Sequence, residues 1–329
     1  MRHAAYRRGW LKTRQLSRPV VSVGNITTGG TGKTPLVAYI ARRLLAHGFR
    51  PSILTRGYGR SRGGDIIALG RDRQHNVNPR EVGDEPALLA KLLPEVPIVV
   101  CANRFRGGQI AEERFDVNVH LLDDGFQHWA LARDVDIVTL DVTQPLSDRE
   151  LLPAGRQREP CGALERAQMI VFTRTELGDH EPIEKDVLRI NPRAAMFRSR
   201  TRLRELVDVA TGRACLPGAF EGERVVALCA TGNPAAFFAD VRMWGYVVAA
   251  EYSFRDHHVY RDKDLLPIMQ KTAKSGARAL VTTEKDAMNL SSFRGGEIPI
   301  LACATEIELD EGERFEKALL ERLAMSSKN

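Results

Sequence analysis

An α/β fold with a parallel-sheet core, followed by a second and smaller α/β domain, is the class this sequence predicts, and three observations predict it. Short apolar runs alternate with longer helical patterns through the first part of the chain, the signature of crossover units and a sheet covered on both faces. The same alternation restarts near residue 223 after an interruption. The 329 residues, 43% of them hydrophobic and 27% charged, suffice for two buried cores.

Taken in order, the strand candidates are 19–24, 50–55, 96–101, 117–122, 135–141 and 168–173, with helical stretches at 34–47, 84–93 and 104–115. Around 194–210 the pattern becomes an alternating ribbon, Met196, Arg198 and Arg200 leading into Leu203, Leu206 and Val207. The second block reads strand 224–230, helix 234–243, strand 247–253, helix 263–275, strand 278–283 and strand 298–303. A last helix over about 310–325 carries Phe315, Leu319, Leu320 and Leu323 on one face. The expected division is a basic N-terminal segment 1–18, a core domain 19–205 and a smaller domain 206–329.

Composition excludes several classes. No stretch of 18 apolar residues exists, so no membrane-spanning helix is expected. Five cysteines without CxxC spacing argue against a disulfide scaffold and a zinc site. A formal charge of +6 suits an anionic partner, but 6% aromatic residues with no basic–aromatic stacking motif argue against nucleic acid. The first 18 residues are basic, with Tyr6, Trp10 and Leu11 interleaved. That pattern fits either a solvated terminus or a short anchor at an anionic membrane surface.

The strongest motif runs from Val23 to Pro35, VGNITTGGTGKTP, between a hydrophobic strand and an amphipathic helix. This is the context of a P-loop, which makes the core a P-loop NTPase-type sheet. Thr27, Thr28, Gly29, Gly30, Thr31, Gly32, Lys33 and Thr34 are the expected ATP-phosphate contacts. Backbone N–H groups and the helix N-terminus would face the phosphates, Lys33 would reach the β/γ-phosphates, and the Thr34 hydroxyl would ligate Mg²⁺. Thr27 stands where the strict pattern has glycine, and Thr28 where a deviant P-loop class has its signature lysine.

The run 117–122 ends in Asp123 and Asp124, adjacent carboxylates that repel each other unless a cation compensates, so both are candidate Mg²⁺ groups. Transfer to a hydroxyl also needs a proton acceptor. Glu81, Asp84 and Glu85 before a helix, and Asp256, His257 and His258 after a strand, are candidates among which spacing does not choose. Asp84 has helix capping as its structural alternative.

The ordered set SVGNITTGGTGKTP, ILTRGYGR, VGDEP, NRFRG, LLDDGFQH, LLPAGRQREP, FRDHHVY and TTEKDA closely resembles the tetraacyldisaccharide 4′-kinase family, from about residue 18 to 290. The resemblance implies transfer of the ATP γ-phosphate to the 4′-hydroxyl of a tetraacyldisaccharide 1-phosphate, a glycolipid precursor of lipid A. It implies work at the cytoplasmic face of the inner membrane, as a peripheral protein with no obligate protein partner. It further implies Asp84 as catalytic base paired with a histidine of FRDHHVY, His257 first and His258 as the alternative, Asp123 and Asp124 as Mg²⁺-associated acids, and Arg104 and Glu159 as polar active-site residues. Relative to the family pattern, the segment before the loop is short and more basic than apolar, and Gln157 replaces a leucine. The rival reading is a switch or metallochaperone-type ATPase acting on a protein partner, which strong lipid-independent hydrolysis would favour.

Overall fold

The computed structural model describes residues 6, 8–58, 60, 66–70, 77–144, 146, 150–290, 293 and 298–326. Residues 1–5 and 7 of the basic N-terminal segment, and Gly59 of the ILTRGYGR motif, lie outside the described residues. The chain divides into two compact units, one comprising residues up to Arg200 together with those from Glu308 onward, the other Thr201–Ile307.

In the first unit the elements are β1 Val20–Gly24, α1 Lys33–Ala46, β2 Pro51–Thr55, β3 Ile67–Leu69, α2 Pro79–Val82, α3 Asp84–Leu92, β4 Ile98–Val100, α4 Arg104–Arg114, β5 Val119–Asp123, β6 Val135–Asp141, β7 Met169–Thr173 and α5 Glu181–Ile190. The start of β8 (Ala195–Asp208) and the helix α9 (Gly312–Ser326) complete it. Its strands lie in the order β8-β7-β6-β1-β5-β2-β4-β3, parallel except for β3 against β4. β1, β2 and β5 through β7 are wholly buried, which explains why they read as continuous apolar runs rather than alternation. Val138, Leu140, Ile170 and Phe172 form one core with Ile183 and Val187 of α5; Leu54, Val99, Leu122 and Ala111 form another.

The register fixes where the chemistry falls. Val23 pairs with Asp123 and Asp141 with Thr173, so the loops after β1, β5, β6 and β7 leave the sheet at one edge. In open parallel sheets, ligands bind outside the carboxyl ends of the strands.

The second unit contains the end of β8, β9 Ala214–Cys215, β10 Arg224–Cys229, α6 Pro234–Met243, β11 Val247–Ser253, α7 Asp262–Lys274, β12 Ala279–Thr283, α8 Glu284–Leu290 and most of β13 (Ile300–Leu309). Its parallel sheet has the order β11-β10-β12-β13. Alternate residues of β10 serve opposite faces: Val225, Ala227 and Cys229 pack on Phe237, Phe238 and Val241 of α6, while Val226 and Leu228 pack on Leu265, Ile268 and Met269 of α7.

The division differs from the expected 19–205 and 206–329 at the C-terminal end, where α9 belongs to the first unit. Phe315, fully buried, sets its ring edge-on to Phe197 at 5.1 Å and to Tyr39 at 6.0 Å. Glu316 accepts from Arg43 at 2.7 Å and lies 3.0 Å from His47, both at the end of α1. An amphipathic helix announces an apolar face but not the surface that face will cover, so the sequence order suggested the wrong neighbour.

Candidate active site

The loop between β1 and α1 is held from several sides. Asn25 Nδ2 donates to Thr31 Oγ1 at 2.9 Å, Thr31 Oγ1 and Thr139 Oγ1 lie 2.8 Å apart, and Thr173 Oγ1 donates to the Thr31 carbonyl at 3.2 Å. Gly32, at φ 78, occupies the left-handed region immediately before α1 opens at Lys33. Gly24 has no room for a side chain, because a Cβ there would sit 2.5 Å from Phe126 Cβ.

A segment 128 positions further along the chain joins the same loop. Thr28 N–H donates to the Arg156 carbonyl at 2.7 Å, and Arg158 N–H donates to the Ile26 carbonyl at 2.7 Å, with Thr27 and Gln157 bridged between them. The LLPAGRQREP motif is thereby brought against the phosphate loop, an arrangement that no spacing in the sequence announces. Gln157, in the place of the family's leucine, is buried and donates to Cys161 Sγ at 3.2 Å.

Lys33 Nζ lies 3.5 Å from Asp124 Oδ1, and Arg158 Nη1 donates to both Asp124 oxygens, at 2.8 and 2.7 Å. Partial burial alone would raise the Asp124 pKa, but Lys33 and then Arg158 outweigh it, and the carboxyl stays below its ordinary value. Asp123 behaves oppositely. It is buried, receives one hydrogen bond from Thr55 Oγ1 at 3.2 Å, and is pushed up to about 7 by burial, then by Glu85 and Asp124. Three carboxylates thus share one electrostatic neighbourhood, and Glu85 joins the two acids the sequence singled out.

Asp84 is buried in the first turn of α3 and its Oδ1 accepts from the Glu85 N–H at 2.9 Å. The N-cap is Gly83, at φ 100, where a Cβ would lie 2.8 Å from the Tyr58 carbonyl oxygen. Asp84 is therefore not the N-cap residue, although its side chain holds a first-turn N–H of α3. Arg104, at the start of α4, is 5% exposed, and burial lowers its pKa to about 10 against the pull of Asp123. Its Nη1 donates to the Ala102 carbonyl, while its Nε is a buried donor with no acceptor among the described residues, which suits an anionic oxygen.

Glu159 is arranged differently from a free acid. Arg166 grips both its oxygens, at 2.7 and 2.8 Å, and the Arg166 guanidinium lies 3.6 Å from the Phe126 ring centre and 4.5 Å from that of Trp129. Arg158 and Arg166 are functional candidates that the motifs alone did not single out; Arg158 had only its adjacency to Glu159 as a signal, and Arg166 had none. Glu85, a proton-acceptor candidate in the sequence, stands instead beside the paired acids.

In the second unit, FRDHHVY forms the loop after β11. His258 has structural partners: Nε2 lies 3.2 Å from Asp264 Oδ2, and its ring stacks on Phe254 at 4.5 Å and meets Tyr260 edge-on. His257 sits in the left-handed region at φ 61, with Nε2 3.8 Å from Asp256, and Asp256 is held by Lys285 at 3.0 Å. The loop is closed by Asp286 of TTEKDA, buried, which accepts from Tyr260 OH at 3.1 Å, from Thr283 Oγ1 at 2.7 Å and from the Ala230 N–H at 3.0 Å.

A glycine-rich loop entering a helix, a lysine at its end and paired acids on the neighbouring strand define a P-loop kinase-type nucleotide site. The family model for tetraacyldisaccharide-1-P 4′-kinase matches residues 1–324, and the chain belongs to that family. Tetraacyldisaccharide 4′-kinase of Geobacter metallireducens is 37% identical over 326 residues, which cover 97% of this chain and 92% of the relative. That of Koribacter versatilis is 38% identical over 319 residues, covering 95% and 91%. The crystal structure of LpxK from Aquifex aeolicus in complex with ATP is 32% identical, with a TM-score of 0.76 over 98% of this chain and 94% of that one.

Proposed function

We propose that this chain transfers the γ-phosphate of ATP to the 4′-hydroxyl of tetraacyldisaccharide 1-phosphate. The observation that carries the reading is the phosphate loop with Lys33 set 3.5 Å from Asp124 and braced by Arg158, in a chain that matches the kinase family over residues 1–324. The rival switch ATPase is less supported, since the family match runs through both units.

The donor set fits Mg²⁺. The Thr34 hydroxyl and the carboxylates of Asp123 and Asp124 are hard oxygen ligands, and a divalent cation would offset the burial, and after it the repulsion from Glu85 and Asp124, that push Asp123 up to about 7. Among the described residues no group of three or more His, Cys, Asp or Glu side chains forms a metal cage, and Mg²⁺ bound with ATP needs only one or two carboxylates plus phosphate oxygens. Bound there, Mg²⁺ would neutralise charge on the β- and γ-phosphates. Lys33 and the loop N–H groups would orient the phosphates, and Arg104 Nε would donate to an oxygen of the anionic substrate.

Asp84 is the proton acceptor in this reading, and His257 is the catalytic histidine candidate of the second unit. In a loose transition state the hydroxyl proton leaves late, so an ordinary aspartate suffices once it is oriented. His257 is the first candidate by its place in the family motif and His258 the second. Glu159 acts by fixing Arg166 and the stacked Phe126 rather than as a free acid.

The acceptor is a lipid, and the reading places the protein at the cytoplasmic face of the inner membrane. Trp10 and Leu11 are exposed, and Arg8 lies over the Trp10 ring at 5.2 Å, a basic and aromatic pair suited to an anionic interface. No helix among the described residues is long and apolar enough to cross a membrane. The test is incubation with γ-labelled ATP, Mg²⁺ and detergent-dispersed tetraacyldisaccharide 1-phosphate. Label in the lipid that Lys33→Ala abolishes supports the reading; label released only as free phosphate, at a lipid-independent rate, overturns it.

A further inference from the structure

Among the described residues, three other than glycine hold a left-handed backbone: Asp124 at φ 52, Arg174 at φ 58 and His257 at φ 61. L-residues adopt this conformation at a cost, and such outliers cluster at functional sites. Asp124 stands beside Lys33 at the phosphate loop, and His257 lies in the FRDHHVY loop of the second unit. The third, Arg174, follows β7 and has no part in the activity described so far.

Its side chain runs to the phosphate loop. Arg174 Nη1 donates to the Gly30 carbonyl at 2.9 Å and to Asp141 Oδ2 at 2.6 Å. Asp141 ends β6 with its side chain fully buried, and its other oxygen accepts from the Thr143 N–H at 3.0 Å and hydroxyl at 2.7 Å. The residue before Arg174 holds the next loop carbonyl, Thr173 Oγ1 donating to Thr31 O at 3.2 Å, and a Cβ on Gly32 would touch Thr173 Cγ2 at 3.3 Å. Two successive loop carbonyls are thus fixed by two successive residues at the end of one strand.

We propose that Arg174, oriented by Asp141, is a positioning residue that sets the crest of the phosphate loop for ATP. In a trans peptide the carbonyl and the following N–H point opposite ways, so fixing the Gly30 and Thr31 carbonyls fixes the N–H groups of Thr31 and Gly32. The Thr31 N–H closes a tight turn on the Gly29 carbonyl at 3.1 Å, and the Gly32 N–H is held facing away from Thr173. Gly29 and Gly30 would otherwise sample many conformations, and binding would have to order them. The Arg174 charge is matched by Asp141, so the pair contributes shape rather than net charge. The effect belongs to ATP affinity, not to the lipid acceptor.

The inference rests on the reading that this loop binds ATP, and the experiment separates the two. ATP binding is measured by calorimetry with Mg²⁺, and KM for ATP and for the lipid acceptor by steady-state kinetics. Arg174→Ala is expected to weaken ATP binding and raise KM for ATP about tenfold, with KM for the lipid unchanged. Arg174→Lys is expected to recover most of the loss, because one nitrogen makes both contacts, and Asp141→Asn to shift ATP affinity in the same direction as Arg174→Ala. Unchanged ATP affinity in Arg174→Ala, or an equal rise in both KM values, overturns the proposal. If Arg174→Ala does not fold, Asp141→Asn decides by the same readouts. Lys33→Ala is the control: if it binds ATP as tightly as the parent, the site reading falls instead.

Discussion

The Lys33 ammonium lies 3.5 Å from the Asp124 carboxylate, and Arg158 closes on the same carboxylate from the next motif. One acid therefore joins the phosphate loop, the end of β5 and the REP segment. Asp124→Asn keeps the shape and removes the charge. It is expected to lower kcat by about 10²–10³-fold, the scale of losing one preorganised electrostatic contact. Steady-state rates at saturating ATP and lipid check this, and a loss below tenfold would remove Asp124 from the charge balance of the site.

Asp123 supplies a pH signature. Its folded pKa is raised from 3.8 to about 7, so between those values the folded state binds more protons than the unfolded one. Stability from this group is present below the ordinary carboxyl range and declines as pH rises toward 7 and through it. Relative to the parent, Asp123→Asn should therefore gain stability at pH 8 compared with pH 5. Denaturant titrations of both proteins at the two values, without Mg²⁺ or nucleotide, give the comparison; a difference that is the same at both contradicts the raised pKa.

Glu159 and Arg166 should behave as one unit. Each single alanine variant leaves a buried charge uncompensated, while the double variant leaves neither. The double variant is thus expected to be no slower than the worse single one, and a double-mutant cycle on kcat/KM should show strong coupling. Additive losses would mean that Glu159 acts independently.

Phe315→Ala tests the place of the last helix. Removing a fully buried aromatic should cost about 3–5 kcal/mol. The unfolding step that shifts should be the one reported by probes on α1 or β1, in the first unit. A shift confined to probes in β10 or β12 would contradict the assignment.

Much of the fold was legible because buried parallel strands are continuous apolar runs: β1, β5, β6 and β7 stand within two residues of the expected bounds. Helix α5 escaped because it is short and charged, although Ile183, Val187 and Ile190 stand at helical spacing, and α8 because it follows β12 without a break. β13 extends to Leu309 beyond the expected 303 because residues 304–309 alternate polar and apolar rather than running apolar. In the site, Lys33, Asp123 and Asp124 were legible as motifs. Arg158 and Arg174 were not, because Asp124 and Asp141 lie more than thirty positions from them and only the fold brings them together; Arg166 was not, because its packing on Phe126, forty positions away, leaves no local pattern.

Because α9 completes the first unit but follows the second in the chain, the first unit cannot finish folding when its last strand emerges from the ribosome. Roughly a hundred residues, Thr201–Ile307, must be translated first, about 5–20 s at ordinary elongation rates. During that interval the surface around Phe197 and Tyr39 that α9 covers is open, a nascent-chain liability for chaperones to shield.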